Sequence, residues 1–208
     1  MRNSSGDEGA ARRALDEAAK GLDLERLLSD AVSRAESEGL VEVAYAEVDS
    51  PYGRLLVAGT DRGIVKLALP NQDAELALRE LAALVSPRVL EAPARLDLAR
   101  RELDEYFEGR LREFHVPVDW RLARGFTDKV LHVVSHIPYG ETLSYGEVAA
   151  EAGNPRAFRA AGTACGNNPV PLIVPCHRVV QSGGKPGNYG GGPEMKRALL
   201  ELEGSLRA

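Results

Sequence analysis

Residues 41–70 constrain the fold more than any other stretch, because apolar side chains there come in three short runs divided by turn-forming residues. Val41, Val43, Tyr45 and Val48 form one strand-like run, Leu55-Leu56-Val57-Ala58 a second, and Ile64-Val65-Lys66-Leu67-Ala68-Leu69 a third. Between them, Ser50-Pro51-Tyr52-Gly53 and Thr60-Asp61-Arg62-Gly63 carry the residues that reverse a chain tightly. Short runs joined by such turns predict an antiparallel meander. The flanks have a different period. From Ala10 to Glu38 the apolar residues Leu15, Ala18, Ala19, Leu22, Leu27, Leu28, Ala31, Val32 and Ala35 recur at helical spacing, predicting one or two amphipathic helices. Further helices are expected at about Asp73–Val85 and Asp97–Glu108. This first half holds no cluster of catalytic residue types and reads as scaffold.

After Trp120 the pattern becomes one of short helices. Thr127 to Ser135 is periodic through Val130, Leu131 and Val134, and Pro138-Tyr139-Gly140 ends it. Ser144 is placed to cap a helix running to Ala152, with Glu147 completing a capping box. Gly153-Asn154-Pro155 breaks the chain, and Arg156 to about Asn167 forms the next helix. Two short helices about a glycine-containing turn have the outline of a helix-turn-helix, an outline shared by many helical hairpins. A last helix is expected at about Met195–Leu202. The organisation is therefore α+β: a partly helical extension over residues 1–40, a sheet scaffold over 41–120, and a helical domain over 121–208.

The net charge of −5 argues, taken whole, against a nucleic-acid partner. It is unevenly spread. Residues 1–120 carry 16 basic and 24 acidic side chains, whereas residues 121–208 carry 10 basic and 7 acidic. Such a sign change is expected where only one half meets a polyanion, though solvated faces vary by chance too. Only Cys165 and Cys176 occur, so neither a disulfide framework nor a cysteine-rich zinc site is available. No apolar run approaches the roughly 18 residues that span a bilayer, and the first thirty residues lack a signal-peptide core. A cytoplasmic protein without a membrane partner is expected.

Chemistry concentrates in Asn168-Pro169-Val170-Pro171-Leu172-Ile173-Val174-Pro175-Cys176-His177-Arg178-Val179-Val180. A buried cysteine alone is most often a small hydrophobe. Here His177 and Arg178 adjoin it, and a nearby positive charge favours the nucleophilic thiolate. In an extended segment, however, adjacent side chains point to opposite faces. Six glycines follow within residues 181–192, permitting tight turns and close approach of backbone amides to a ligand. No GKS or GKT accompanies them, so a P-loop is not indicated. Next to Cys176, a loop of this kind reads as a pocket lid.

These residues resemble the O6-alkylguanine-DNA alkyltransferase family, also called methylated-DNA–protein-cysteine methyltransferases. The resemblance rests on Pro175-Cys176-His177-Arg178-Val179, Ser144-Tyr145, Arg159-Ala160-Ala161-Gly162, Asn168-Pro169, Gly187-Asn188-Tyr189 and Glu203-Gly204. It implies an N-terminal antiparallel-sheet domain of ribonuclease H-like type and a C-terminal, winged-helix-like domain with a helix-turn-helix. It also implies single-turnover transfer of an alkyl group from guanine O6, with O4-alkylthymine a further candidate lesion, to Cys176. His177 would deprotonate Cys176 through a water, and Glu203 would orient the imidazole, a nucleophile-base-orienter arrangement. Tyr145 would donate to guanine N3 as charge develops on the leaving base. Tyr189 and Gly190 would contact the O6 region, carbonyls of Cys176 and Val179 would read the exocyclic amine, and Asn168 would tie the helix-turn-helix to the active segment. Pro171 and Lys196 would complete the pocket. The alkylated base is held within the duplex, so a protein alkylated at its own cysteine must first flip the nucleotide out. Arg159 would fill the vacated place, with small Ala157 and Ala160 allowing close approach to the minor groove. The partner would be double-stranded DNA carrying alkylated guanine, met by a monomer that needs no cofactor.

Departures from the family pattern are specific. Phe158 stands before Arg159 where a smaller residue is usual, either as a core anchor or as a wider wedge. Cys165 lies near the expected pocket wall, where a disulfide to Cys176 would inactivate the protein and a spectator thiol is the plainer reading. Residues 1–120 hold no cysteine and only His115, so no N-terminal zinc site is expected. Residues 125–129 lack the Gln and Trp common there, and residues 1–38 have no counterpart. A non-catalytic lesion sensor is the rival reading, weakened by retention of Cys176, His177 and Glu203. A helix-turn-helix regulator would not need the Pro175–Val179 segment, and a cysteine hydrolase leaves the helix pair unexplained.

Overall fold

The computed structural model describes residues 24–206. The chain divides between Leu40 and Val41 into two units. In the first, α1 (Leu24–Ser37) accounts for the later part of the predicted amphipathic helices. The remainder, at Ala10 to Asp23, lies outside the described residues.

In the second unit the meander is present as β1 (Val43–Val48), β2 (Leu55–Thr60) and β3 (Gly63–Ala68). β1 pairs antiparallel with β2, and β2 with β3. β4 (Val89–Glu91) adds to the other side of β1 in parallel, giving the order β3-β2-β1-β4. Three residues are too few for a detectable alternation, and β4 was not legible in the sequence. α2 (Ala74–Leu84) begins on Asp73, whose carboxylate accepts from Leu76 N–H at 3.0 Å. Its Ala77 and Leu81 are buried, and Leu81 packs with Val43, Ala58 and Val65 of the sheet. Burying a side chain of that size stabilises by about 1.5–3 kcal/mol.

α3 (Asp97–Phe107) carries the buried carboxylate of Glu102, which accepts backbone N–H groups of His115 at 3.0 Å and Val116 at 3.1 Å. The chain then runs along the edge strand β3, where Ile64 N–H donates to Pro117 C=O at 2.8 Å. Leu67 N–H of the same strand donates to Pro169 C=O at 2.8 Å. Thus the open sheet edge is used to dock the segment that leads to Cys176.

The helical part contains α4 (Gly125–Ser135), α5 (Tyr145–Glu151), α6 (Phe158–Gly166) and α7 (Gly192–Leu202). The predicted capping box is present: Ser144 Oγ accepts from Glu147 N–H at 3.3 Å, and Glu147 Oε2 from Ser144 N–H at 2.7 Å. The break between α5 and α6 is wider than Gly153-Asn154-Pro155, since Arg156 and Ala157 precede α6. A two-residue parallel pair, β5 (Leu143–Ser144) with β6 (Val179–Val180), brings the start of α5 beside the Cys176 segment. Among the described residues no helix is long and apolar enough to cross a membrane.

Candidate active site

Cys176, His177 and Arg178 form one 3-10 turn rather than an extended run. This corrects the expectation of side chains on alternating faces: the turn sends Cys176 toward a cavity while His177 and Arg178 both reach Glu203. The loop before the turn is tightly held. Asn168 Nδ2 donates to Val174 C=O at 2.8 Å, and its Oδ1 accepts from Val170 N–H at 3.0 Å. Within that loop Leu172 takes a φ of 74°, a left-handed conformation rare for a branched residue and kept by its complete burial.

The cavity, of about 520 Å³, is lined by Tyr145 and Cys176, by Arg159, Gly162, Thr163, Cys165 and Gly166 of α6, and by Gln181 and Gly187–Gly190. Gly187 lies so close to Tyr145 that a Cβ there would stand 2.8 Å from the phenol oxygen. The glycine-rich loop therefore forms one wall, pressed on the Tyr145 ring. Burial pushes the Tyr145 phenol up to about 12, which keeps it protonated. Tyr189 Oη is buried in this wall and has no hydrogen-bond partner in the protein.

Behind Cys176 sits a buried relay. His177 Nε2 lies 2.9 Å from Glu203 Oε1, and Arg178 donates through Nε and Nη2 to the two carboxylate oxygens at 2.9 Å each. Burial alone would raise the Glu203 carboxyl, but the bonds from His177 and Arg178 prevail and hold it at about 2. A carboxylate can only accept, so His177 donates from Nε2 and the lone pair falls on Nδ1. That Nδ1 is buried and has no protein partner. Burial lowers the His177 pKa against the pull of Glu203, so the ring is neutral near pH 7. Burial likewise raises the Cys176 thiol, opposed by the Asn168 side chain and the Lys196 charge. The resting nucleophile is a thiol beside a neutral base.

Two family models match the chain in succession: the 6-O-methylguanine DNA methyltransferase ribonuclease-like domain over residues 43–120, and the DNA binding domain of the same methyltransferase over residues 125–205. The chain belongs to the 6-O-methylguanine DNA methyltransferase family. The methylated-DNA–protein-cysteine methyltransferase of Mycobacterium tuberculosis H37Rv is 42% identical over 163 residues, 78% of this chain and 93% of the relative. The human methyltransferase of that name is 37% identical over 170 residues, 78% of this chain and 81% of the relative. A crystal structure of Mycobacterium tuberculosis OGT in complex with DNA matches with a TM-score of 0.67 and 41% identity, over 78% of this chain and 93% of that one.

Against the residues that the methyltransferase resemblance selected, the structure makes distinctions. Tyr145, Arg159, Cys176, Tyr189 and Gly190 meet at one cavity. His177 and Glu203 lie behind it. Asn168, Pro171, Val179 and Lys196 are not among the residues that line this cavity, although Asn168 and Lys196 both act on the Cys176 thiol. Lys196 is wholly buried, with Nζ donating to Val179 C=O at 2.6 Å. Cys176 C=O likewise accepts from Val179 N–H, so each carbonyl expected to read an exocyclic amine has one lone pair engaged and one left. Ala157 caps α6 and Ala160 is exposed on it, both outside the cavity lining.

Two further corrections concern charge and origin. Arg178 does not activate the thiol directly, because its guanidinium is taken up by Glu203 and by Ile137 C=O at 2.5 Å. The cation that acts on Cys176 is Lys196. Nor is the first half mere scaffold. Tyr106 of α3, entirely buried, donates to Glu203 Oε1 at 2.8 Å and lies 3.3 Å from His177 Nε2. A lone tyrosine at the end of an amphipathic helix carries no sequence signal for that role. Asn71 Nδ2 also reaches across, donating to Gly190 C=O at 2.7 Å.

Proposed function

We propose that this protein repairs alkylated DNA by transferring the alkyl group of O6-alkylguanine to Cys176, once per molecule. The observation that carries the reading is a cysteine at the floor of a cavity, backed by a buried His177–Glu203 relay whose free ring nitrogen is a base. Family membership supports the same chemistry.

The thiol proton passes to His177 Nδ1, through a water in this reading, as Cys176 Sγ attacks the alkyl carbon. The carbon–O6 bond breaks, and its electron pair stays with the guanine. Tyr145, protonated at neutral pH, donates to N3 and offsets the charge developing on the base. The guanine anion takes up one proton, returned from the His177 imidazolium through solvent. The products are guanine and an S-alkyl cysteine, a thioether that does not give the group up, so one molecule serves one lesion. Glu203 keeps Nε2 as the donor and stabilises the imidazolium that forms. Tyr189 Oη, buried at the cavity and without a partner, is the donor placed for the O6 region.

The substrate is an extruded nucleotide of double-stranded DNA, since a base held in the duplex cannot enter the cavity where Cys176 is buried. Arg159 of α6 is exposed, makes no ion pair among the described residues and stands at the cavity rim, as a residue entering the vacated place requires. The surplus of basic side chains after Trp120 suits brief, sequence-independent contact with phosphates.

The test is to incubate the protein with a duplex carrying O6-methylguanine and weigh it intact. A gain of about 14 Da on Cys176, absent in Cys176→Ser, is expected from covalent transfer. Tight binding of the lesion without a gain in mass would overturn the enzyme in favour of a lesion sensor.

A further inference from the structure

Phe158 is 50% exposed, and of the four phenylalanines it alone is exposed. This removes the reading of Phe158 as a core anchor. It opens α6, whose N-cap, Ala157, makes no side-chain capping bond and whose first turn holds no acidic residue. Water-facing helix starts favour Ser, Thr, Asp or Asn at the cap and acidic residues beyond it. Ala157-Phe158-Arg159 is the opposite choice, an apolar and cationic start with Phe158 and Arg159 exposed. The Arg159 guanidinium lies 5.6 Å from the centre of the Phe158 ring.

Position along the helix adds direction. Residues four and seven further on share a helical face with the first. For Phe158 these are Gly162 and Cys165, both of which line the cavity. Arg159 lines it as well, together with Thr163 and Gly166 on the adjoining stripe. The aromatic ring therefore stands at the outer end of the face that leads into the nucleophile's cavity.

We propose that Phe158 is an apolar wedge that stacks on the base pair flanking the extruded nucleotide while Arg159 occupies the vacated place. The inference rests on the DNA-repair reading above and deepens it. The partner is the base stack of a duplex. Minor-groove proteins insert Phe and similar side chains at unstacked steps, and each base–aromatic stack contributes affinity without regard to sequence. Such a contact carries no charge and resists salt. It suits a chain whose basic surplus is small, because attraction to phosphates weakens steeply as salt rises.

The experiment compares wild type with Phe158→Ala, Phe158→Leu and Phe158→Trp on two substrates, an O6-methylguanine duplex and the free O6-methylguanine base. Affinity for the duplex is measured across salt concentrations with each change placed in a Cys176→Ser background. Alanine favours helix and the position is exposed, so Phe158→Ala is expected to fold normally. Phe158→Ala should bind and repair the duplex roughly 10-fold more weakly, the scale of one lost stack, with the salt slope unchanged. Phe158→Trp should retain activity, Phe158→Leu should fall between, and all three should react with the free base within about twofold of wild type. Unchanged duplex binding and repair in Phe158→Ala would overturn the wedge. So would an equal loss on the free base, which would make Phe158 a wall of the pocket, or a shallower salt slope, which would put the effect on phosphates. If the wild type moves no methyl group to Cys176, the repair reading fails, while the binding measurements still decide whether Phe158 stacks.

Discussion

Two arginines of the second half show opposite uses of the same side chain. Arg178 is buried against Glu203, which also bonds His177 and Tyr106, so both oxygens of that carboxylate are bonded within the protein. Arg159 is exposed and makes no ion pair among the described residues, its guanidinium lying near the Phe158 ring. The first carries its partners with it, so disturbing it must register in the free protein as lost stability and altered proton affinity. The second has its partner elsewhere. Changing it should leave the free protein intact and register only when DNA is added. Burial, rather than residue type, separates the machinery of transfer from the machinery of finding.

The largest contrast between them is expected from Glu203→Gln. It leaves the Arg178 guanidinium buried without a counter-charge, and breaking a buried pair in this way costs about 3–5 kcal/mol. Urea unfolding should show that loss, together with failed transfer from both duplex and free base. Arg159→Ala, a surface change, should stay within about 0.5 kcal/mol of wild type, losing duplex repair while largely keeping the free-base reaction. Equal destabilisation by the two would erase the distinction.

Acid should attack the buried cluster alone. Glu203 is held at about 2 against an ordinary value of 4.5, so its contribution is complete above pH 4.5 and is lost as the pH falls toward 2. Its size is about 3 kcal/mol, from the difference at 1.36 kcal/mol per unit. His177 acts in the same sense and earlier. Burial lowers its pKa, so the unfolded chain takes up that proton first and stability begins to fall below about 6.5. Unfolding free energies measured from pH 8 to pH 3 should decline through both windows, and the lower one should vanish in Glu203→Gln. A flat profile between pH 7 and 4 would contradict the buried, neutral imidazole.

Tyr106→Phe probes the one member of the relay supplied by the first half. Removing a hydrogen bond to a charged group costs about 1.5–3 kcal/mol. A structural role would end there. The geometry requires more, because Tyr106 and His177 share Glu203 Oε1. Without the phenol, the carboxylate holds the imidazolium more strongly, and the acid limb of the transfer rate should move to higher pH. A stability loss with an unmoved pH profile would reduce Tyr106 to packing.

That residue also marks where sequence reading stopped. The meander was legible because period and turns agree, and Cys176, His177 and Glu203 because their motifs are local. The capping box of Ser144 and Glu147 was legible for the same reason. Long-range pairings were not: β4 on β1, β5 on β6, and Leu67 on Pro169 depend on residues far apart that carry no mutual pattern. The charge argument failed similarly. Arg178 adjoins Cys176 in sequence, yet the turn gives it to Glu203, and Lys196, eighteen residues beyond Arg178, supplies the cation instead. Adjacency along the chain was a poor guide to which charge acts on which group.

The smallest expected effect guards the comparison itself. A loss of duplex repair through Phe158 or Arg159 is meaningful only if mild instability alone does not mimic it. Asp73 caps α2 through its bond to Leu76 N–H and lies outside both the relay and the cavity lining. Asp73→Ala should cost about 1 kcal/mol, as loss of a helix N-cap generally does. Unfolding should shift by that amount while methyl transfer from duplex and from free base continues at wild-type rates. If Asp73→Ala depressed duplex repair selectively, finding the lesion would depend on the stability of the sheet domain. The exposed start of α6 would then lose its claim to act independently of the buried half.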